Sequence, residues 1–102
     1  MRTVVDIVAE LDQRDLLELA RRVARKHSLS VEEMLGPWRG PAESHARHLL
    51  WAVLYARGHW STTRIGALFG KDHTTVLLGM RRVTKAETDE IEPTEKHNGT
   101  TG

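Results

Sequence analysis

The 102-residue sequence contains no cysteine, which excludes disulfide bonds and thiolate metal sites and leaves no reason to expect an oxidising compartment. It also lacks any apolar run approaching the roughly 20 residues that a membrane-spanning helix needs, and it has no hydrophobic signal-peptide segment at its N-terminus. These absences predict a soluble, cytoplasmic protein. The length suffices for one domain, and without a Gly-x-x-x-x-Gly-Lys-Ser/Thr phosphate loop no nucleotide-driven motor is expected.

Positive charge is concentrated in the middle of the chain, although the formal net charge of the whole sequence is only +1. Residues 36–86 carry a net charge of +6, whereas residues 1–35 carry −1 and residues 87–102 carry −4. A basic surface favours phosphate binding, because neutralising phosphates releases condensed counterions. The distribution therefore favours a nucleic-acid-binding middle segment over a chance variation of charge along the chain.

The most informative stretch lies inside this basic segment, at residues 61–83. Ser61 is a candidate N-cap for a short helix, Gly70 follows as a turn, and Asp72 is a candidate N-cap for a second helix with a polar first turn. Apolar residues recur at helical spacing in both helices. They are Ile65, Leu68 and Phe69 in the first, and Val76, Leu77, Met80 and Val83 in the second. This order is typical of a helix-turn-helix whose second helix enters the major groove of DNA.

The same stretch resembles the C-terminal DNA-binding domain of the bacterial replication initiator DnaA. The residues that carry the resemblance are Ile65, Gly66, Phe69, Gly70, Asp72, His73, Thr74, Thr75, Val76, Leu77 and Arg82. It extends from about Leu16 to about Glu87. The resemblance implies an all-α, compact helical domain with a helix-turn-helix, similar to TrpR and to DnaA domain IV, that reads initiator boxes in double-stranded DNA.

The sequence divides into three parts. Residues 1–15 predict an N-terminal helix or arm, and residues 16–87 predict the helix-turn-helix domain. Residues 88–102 are acidic, polar and poor in apolar side chains, which predicts a disordered tail. In the family that the sequence resembles, a helix in the N-terminal position links the domain to a nucleotide-binding motor.

Polar residues mark the starts of the N-terminal helices. Thr3 is a candidate cap for the first helix, and Asp12 or Asp15 is a candidate start for a longer one. Periodicity alone does not decide whether these are one helix or two. Ser30 and Glu33 fit a capping box, which predicts a short helix that holds Met34 and Leu35 in the core. A central helix is expected next, from Ala42 or Glu43 to Arg57, followed by Gly58.

Two pairs of side chains on the central helix have alternative interpretations. Trp51 and Tyr55 lie four residues apart, so they either pack together or present a surface. His45 and His48 have a spacing that can ligate a metal, but no third ligand has compatible spacing. We therefore predict no metal site and no cofactor.

A loop rich in glycine and proline is predicted at residues 36–41. By resemblance, Arg39 matches an arginine that enters the minor groove, and Arg47 matches an arginine that contacts phosphate or base. The loop departs from the family because its other positions hold proline, tryptophan and glycine where basic residues or serine are usual. Fewer cations predict weaker phosphate binding and a smaller dependence on salt. Trp38 either covers the apolar edge of the core or wedges against the groove wall.

The candidate DNA contacts of the second helix follow from the chemistry of each side chain. Asp72 caps the helix and, by resemblance, accepts a hydrogen bond from a cytosine amine. His73 can hydrogen-bond a base edge, and Thr74 and Thr75 can place methyl groups on thymine and hydroxyl groups on phosphate. The helix N-terminus adds backbone N–H groups for a phosphate.

The remaining candidates lie on either side of these residues. The hydroxyl groups of Thr62 and Thr63 can donate to phosphate, and Lys71 and Arg81 supply cations. Lys85 is expected to complement the C-terminal dipole of the recognition helix instead of touching DNA.

These observations predict a sequence-specific module for double-stranded DNA, acting at the nucleoid as a small replication or transcription regulator without an ATPase. A replication or regulatory protein is a second candidate partner; a membrane and a small-molecule substrate are not expected. A DNA-targeting module of a phage or mobile element is a related alternative. A protein-interaction module that keeps the fold is favoured by the depleted loop and by tryptophans on exposed-looking segments, at residues 38, 51 and 60. An enzyme is the least favoured class, because no nucleophile-base-acid set occurs.

Overall fold

The computed structural model describes residues 2–93, which form seven α-helices and no strand. In chain order the helices are α1 (Val4–Gln13), α2 (Leu17–Lys26), α3 (Val31–Leu35), α4 (Pro41–Ala56), α5 (Thr62–Phe69), α6 (His73–Met80) and α7 (Lys85–Ile91). The predicted all-α fold is confirmed. None of these helices is long and apolar enough to cross a membrane.

The N-terminal segment forms two helices joined by a tight turn. Thr3 and Asp6 make a capping box at the start of α1, with both N···O distances at 3.1 Å, which confirms the predicted cap. Asp15 adopts φ +63° and ends the helical path. The expectation that Asp12 or Asp15 caps α2 is wrong, because Leu16 occupies that position without a side-chain cap. Leu16 is buried, so core packing fixes this helix start in place of polar capping.

The short helix α3 begins as predicted. Ser30 accepts the Glu33 N–H at 3.0 Å, and the Glu33 carboxylate accepts the Ser30 N–H at 2.8 Å. Met34 and Leu35 are both buried in the core. The capping box therefore fixes the start of a helix that places Met34 and Leu35 in the core, where α3 contacts α4.

The central helix α4 contacts α2, α3, α5, α6 and α7, so the other elements are arranged around it. It begins one residue earlier than predicted, with Gly40 as N-cap and Pro41 in the first turn, where proline is favoured. Trp51 is only 2% exposed and packs against Phe69, whereas Tyr55 is 52% exposed. The expectation that Trp51 lies on an exposed segment is therefore wrong, because Trp51 belongs to the core, whereas Tyr55, one turn later on α4, is exposed.

The last helix, α7, occupies residues that were expected to be a disordered tail. Thr84 and Glu87 form a capping box, in which Glu87 accepts the Thr84 N–H at 2.9 Å. Ile91 is buried in the core. The prediction of disorder from residue 88 is thus wrong for residues 88–91, and the part of that prediction on residues 94–102 lies outside the described residues. Lys85 belongs to the start of α7 and pairs with Asp89, so it does not complement the end of α6.

Complementary charge holds α7 against α2 and α4. Glu90 pairs with Lys26, Glu92 pairs with Arg57, and Glu87 approaches His45 Nε2 at 2.6 Å. In addition, Arg22 donates to the carbonyl of Ile91 at 3.0 Å. We call this set of contacts the α7 junction. Helix α7 has only one large apolar side chain, Ile91. It folds here because its glutamates pair with these basic residues and Ile91 packs into the core beside α4.

Candidate nucleic-acid interface

Helices α5 and α6 form the predicted helix-turn-helix, and glycine makes their close turn possible. Gly70 ends α5 with φ +72°, a conformation that glycine adopts without strain. The N–H of Lys71 donates to the carbonyl of Gly66 at 2.8 Å. A Cβ at Gly66 would overlap the Lys71 carbonyl oxygen, so the backbone of the turn lies directly on α5. This contact sets the distance between the turn and α5.

Capping residues start both helices as predicted. Ser61 accepts the Arg64 N–H at 3.1 Å, and Asp72 accepts the Thr75 N–H at 2.9 Å. The hydrogen bond from the Thr75 N–H lowers the pKa of Asp72 from its usual value. Asp72 is exposed and therefore presents a carboxylate to solvent at the helix start. Its acceptance of a hydrogen bond from cytosine stays a prediction.

Helix α6 is anchored on one side and exposed on the other. Val76 and Gly79 are buried, and a Cβ at Gly79 would lie 2.6 Å from His48 Cδ2 and 2.8 Å from Trp51 Cζ3. Helix α6 thus rests directly on α4. Leu77, one of the apolar residues at helical spacing in this helix, is 38% exposed, because it lies about 100° around the helix from the buried Val76.

The exposed side of α6 carries most of the predicted contacts. We define the α6 face as the exposed residues of this helix and its turn. They are Lys71, Asp72, His73, Thr74, Thr75, Leu77, Leu78, Arg81 and Arg82. Thr62 and Thr63 occupy the first turn of α5, where Thr62 is half-buried and Thr63 is exposed. The sequence reasoning did not include Leu78, although its spacing of four residues from Thr74 places both on one side of a helix.

The loop between α3 and α4 lies beside the turn of the helix-turn-helix. Arg39 is exposed, and it lines a groove together with Trp38, Lys71 and Phe69. Trp38 is 56% exposed, so it does not close over the core. The structure thereby brings the loop arginine and the turn lysine to the same groove, from positions far apart in sequence.

Arg47 is placed differently from the other predicted contacts. Its guanidinium donates to the carbonyl of Met34 at 2.9 Å, to the carbonyl of Trp38 at 3.1 Å and to the hydroxyl of Ser44 at 3.2 Å. It also reaches the carbonyl of Gly36 at 3.4 Å. Burial lowers the pKa of Arg47 from its usual value. Arg47 therefore holds the loop that carries Arg39, and a contact of Arg47 itself with DNA stays a prediction.

Basic side chains fall into two groups by their partners. Within residues 2–93, the side chains without an ion pair or hydrogen bond are Arg39, Lys71, Arg81 and Arg82. Every other Lys or Arg of the described residues has such a partner; for example, Arg64 donates to the His59 carbonyl at 2.7 Å and lies over the Trp60 ring. The unpaired cations all belong to the α6 face or the neighbouring loop. Sequence counting located the basic segment, but only the structure separates unpaired from paired cations.

The nearby histidines of α4 do not assemble a metal site. His45 pairs with Glu87, and His48 is half-buried against the Trp51 ring, with ring centroids 5.4 Å apart. Burial lowers the pKa of His48 from its usual value, and the charge of Arg47 acts in the same direction. No group of three potential ligands that could hold a metal ion occurs among the described residues.

Comparison with known proteins identifies the region that contains this arrangement. Residues 17–83 match the model of the family described as the bacterial dnaA protein helix-turn-helix. The match begins at α2 and ends just after α6, so it covers the loop, the turn and the α6 face, and it leaves out α1 and α7.

The relatives found among curated proteins are replication initiators. The chromosomal replication initiator proteins DnaA of two strains of Thermus thermophilus are each 35% identical to this chain over 91 residues, covering 86% of this chain and 21% of the relative. The DnaA of Buchnera aphidicola subsp. Cinara cedri is 25% identical over 79 residues, covering 76% of this chain and 18% of the relative. The chain thus spans about a fifth of the length of these relatives. No solved structure matches it significantly.

Proposed function

Because this chain belongs to the family of bacterial DnaA helix-turn-helix domains, which are DNA-binding modules, we propose that it binds a specific site in double-stranded DNA through the α6 face. The observation that carries the proposal is the placement of the unpaired cations. Lys71 precedes the polar first turn of α6, Arg81 and Arg82 follow its last turn, and Arg39 lines the adjoining groove. Such side chains are available to neutralise phosphates, whereas paired ones are already compensated.

The proposed complex places α6 in the major groove. Asp72, His73 and Thr74 read base edges, because their side chains project from the exposed first turn. Thr75 places its methyl group against a thymine methyl or its hydroxyl on phosphate. Arg81 contacts the DNA backbone at the other end of the helix. The anchoring of Gly79 on α4 gives these contacts a fixed orientation.

Phosphate and minor-groove contacts flank the recognition helix. The hydroxyls of Thr62 and Thr63 and the cation of Lys71 bind the backbone on the turn side. Arg39 enters the adjacent minor groove. Arg47 acts as a positioning residue, since its hydrogen bonds to Met34 and Trp38 hold the loop from which Arg39 projects.

The site read is proposed to resemble the initiator box, because the Asp-His-Thr-Thr-Val core occupies the start of α6. At such sites the chain acts as a small regulator of replication or transcription in the nucleoid, alone or with a replication or regulatory protein. The T. thermophilus relatives, named chromosomal replication initiators, support this placement in DNA replication.

The test is a fluorescence-anisotropy titration against a labelled duplex that carries an initiator-type box and against a scrambled duplex, each at two salt concentrations. We expect tighter binding to the box, and His73→Ala should reduce that preference by about tenfold because it removes one base contact. Gln13→Ala is the control, at an exposed position of α1 outside the α6 face.

Three results are distinguishable. A preference for the box that His73→Ala removes supports the proposal. Equal, salt-sensitive binding to both duplexes means that the protein reads another sequence, which random-site selection would then identify. Failure to bind either duplex contradicts the proposal and favours a protein-interaction module.

A further inference from the structure

Leu78 is a large aliphatic side chain at the centre of the exposed side of α6. It is 52% exposed, and its spacing of four residues places it one turn after Thr74 on the same side of the helix. Arg81 follows three residues later on that side. The buried residues of the helix, Val76 and Gly79, lie on the opposite side. Leu78 therefore does not contribute to the core.

An exposed leucine between a threonine and an arginine has no obvious role in the protein alone. Leu78 does not belong to an apolar patch large enough for a protein interface, because its other neighbours are polar. Leu77 is the only other residue of this helix that is large, apolar and exposed. The unpaired cations Arg81, Arg82 and Lys71 around it match a polyanion. Charge complementarity thus points to the same occupant as the rest of the α6 face, which is DNA.

The chemistry of the major groove restricts what a leucine can recognise there. Leucine has neither a donor nor an acceptor, and the C5-methyl group of thymine is the apolar group among the base edges of that groove. Thr74 and Leu78 are about 6 Å apart along the helix axis, from the rise per residue of an α-helix. This distance corresponds to about two base steps, given the spacing of about 3.4 Å per nucleotide.

We propose that Leu78 determines specificity by packing against the C5-methyl group of a thymine, about two base steps from the base that Thr74 contacts. The inference rests on the proposed binding of DNA through the α6 face. It adds a recognition contact made by shape and apolar surface to the hydrogen-bonding residues of the first helical turn.

Uracil scanning tests this contact, because uracil lacks the C5-methyl group and keeps the hydrogen-bonding pattern of thymine. Each thymine of the bound duplex is replaced in turn, and dissociation constants are measured for the wild-type protein and for Leu78→Ala. We expect wild-type binding to weaken by about fourfold at one position, the factor that corresponds to one buried methyl group. Leu78→Ala should bind the thymine duplex about tenfold more weakly than the wild type does, and it should not respond to uracil at that position.

Two variants control for other effects of the substitution. Leu78→Met keeps an apolar side chain of similar volume and should retain the sensitivity to uracil. Val5→Ala removes exposed apolar surface from α1, where the side chain is 76% exposed, and should leave both affinities unchanged. Because alanine and leucine both favour helix, Leu78→Ala should fold normally, which circular dichroism checks.

The outcomes separate this inference from the proposed function. If the wild type prefers the box but Leu78→Ala responds to uracil at every position as the wild type does, the thymine contact is wrong and DNA binding stands. If uracil has no effect on the wild type at any position, the thymine contact is also wrong. If the wild type binds neither the box nor the scrambled duplex, both ideas fail together.

Discussion

At the α7 junction, Lys26 and Arg57 pair with glutamates of α7, whereas on the α6 face Lys71 and Arg81 have no acidic partner among the described residues. Both regions are built from charged side chains on short helices. In the first, opposite charges meet across helices and stabilise the fold. In the second, the basic side chains project into solvent without an ion-pair partner in the described part of the chain and remain available to a ligand.

The difference shows why net charge alone describes this protein poorly. The sequence as a whole carries only +1, because acidic residues balance basic ones in number. In space, the acidic groups of the α7 junction lie beside basic partners that compensate them, whereas the cations of the α6 face have no such partner within residues 2–93, so the local potential at that face stays positive. Screening limits this potential to about 8 Å at physiological ionic strength, so it acts mainly on a partner already close to the α6 face.

The largest effect should come from Gly66→Ala, which tests whether the geometry of the α6 face depends on the close turn. The new Cβ would overlap the rigid Lys71 carbonyl, so the turn must move away from α5. We expect a loss of about 3 kcal/mol in the free energy of unfolding, measured with urea, together with a loss of DNA binding. Gly58→Ala is the control, because a Cβ there meets nothing and its φ of +87° alone should cost about 1 kcal/mol. Equal costs for both variants would contradict the close-contact argument.

Ile91→Ala tests whether the α7 junction serves stability alone. Ile91 is 8% exposed at the edge of the core, and its truncation should lower the free energy of unfolding by about 2 kcal/mol. DNA affinity, measured where the variant remains folded, should not change. A parallel loss of DNA affinity would show that α7 also supports the α6 face, and the contrast between the two regions would no longer hold.

Arg81→Ala and Arg22→Ala compare one unpaired with one paired arginine. Removing a phosphate contact should reduce the slope of log affinity against log salt by about 0.9, so Arg81→Ala should weaken DNA binding and flatten its salt dependence. Arg22 contacts Glu92 and the Ile91 carbonyl, and Arg22→Ala should leave the slope unchanged. An effect of Arg22→Ala on the slope as large as that of Arg81→Ala would mean that pairing does not decide which cations meet DNA.

Acid should weaken the α7 junction before it affects the remainder of the core. Hydrogen bonds from the Thr84 backbone and from His45 hold the pKa of Glu87 below its usual value of 4.5. The unfolded chain therefore binds more protons in acid, so the stabilisation is complete above the usual value and is lost as pH falls through the lower, folded value. Glu87→Gln should cost about 0.5 kcal/mol at neutral pH. That difference should shrink as the pH falls below 4.5 in urea titrations, with the exposed Glu32→Gln as control.

Local signals in the sequence were sufficient for the helix starts and for the helix-turn-helix. Ser30, Ser61 and Asp72 cap the helices that they were expected to cap, because the capping side chain and the backbone N–H that donates to it are only three residues apart. A capping-box signature, Thr-x-x-Glu, is also present at Thr84 and Glu87. The acidic composition after it nevertheless led to the prediction of a disordered tail from residue 88. What stabilises α7 is contact with α2 and α4, which no local pattern records.

The role of Arg47 was beyond sequence reasoning for a related reason. Its partners are backbone carbonyls 9 and 13 residues away, at Trp38 and Met34. Only the packing of α3 against α4 brings these groups together. The resemblance pointed to Arg47 as a DNA contact, whereas the structure assigns its hydrogen bonds to the loop. The caps and the exposure of the candidate residues on the turns were easier to predict, because they depend on neighbouring residues.

Because Gly79 has no side chain, α6 packs closely against α4, and a substitution at this position can change the distance between the two helices. His48 and Trp51 of α4 lie where a Cβ would stand, so even one added carbon atom must displace these rings or push α6 outward. A displacement of α6 would change how deeply Thr74 and Leu78 enter the major groove in the proposed complex, although every side chain of the α6 face would stay chemically the same. A substitution at this buried position should therefore change the DNA preference that we propose for the α6 face, without altering any residue of that face.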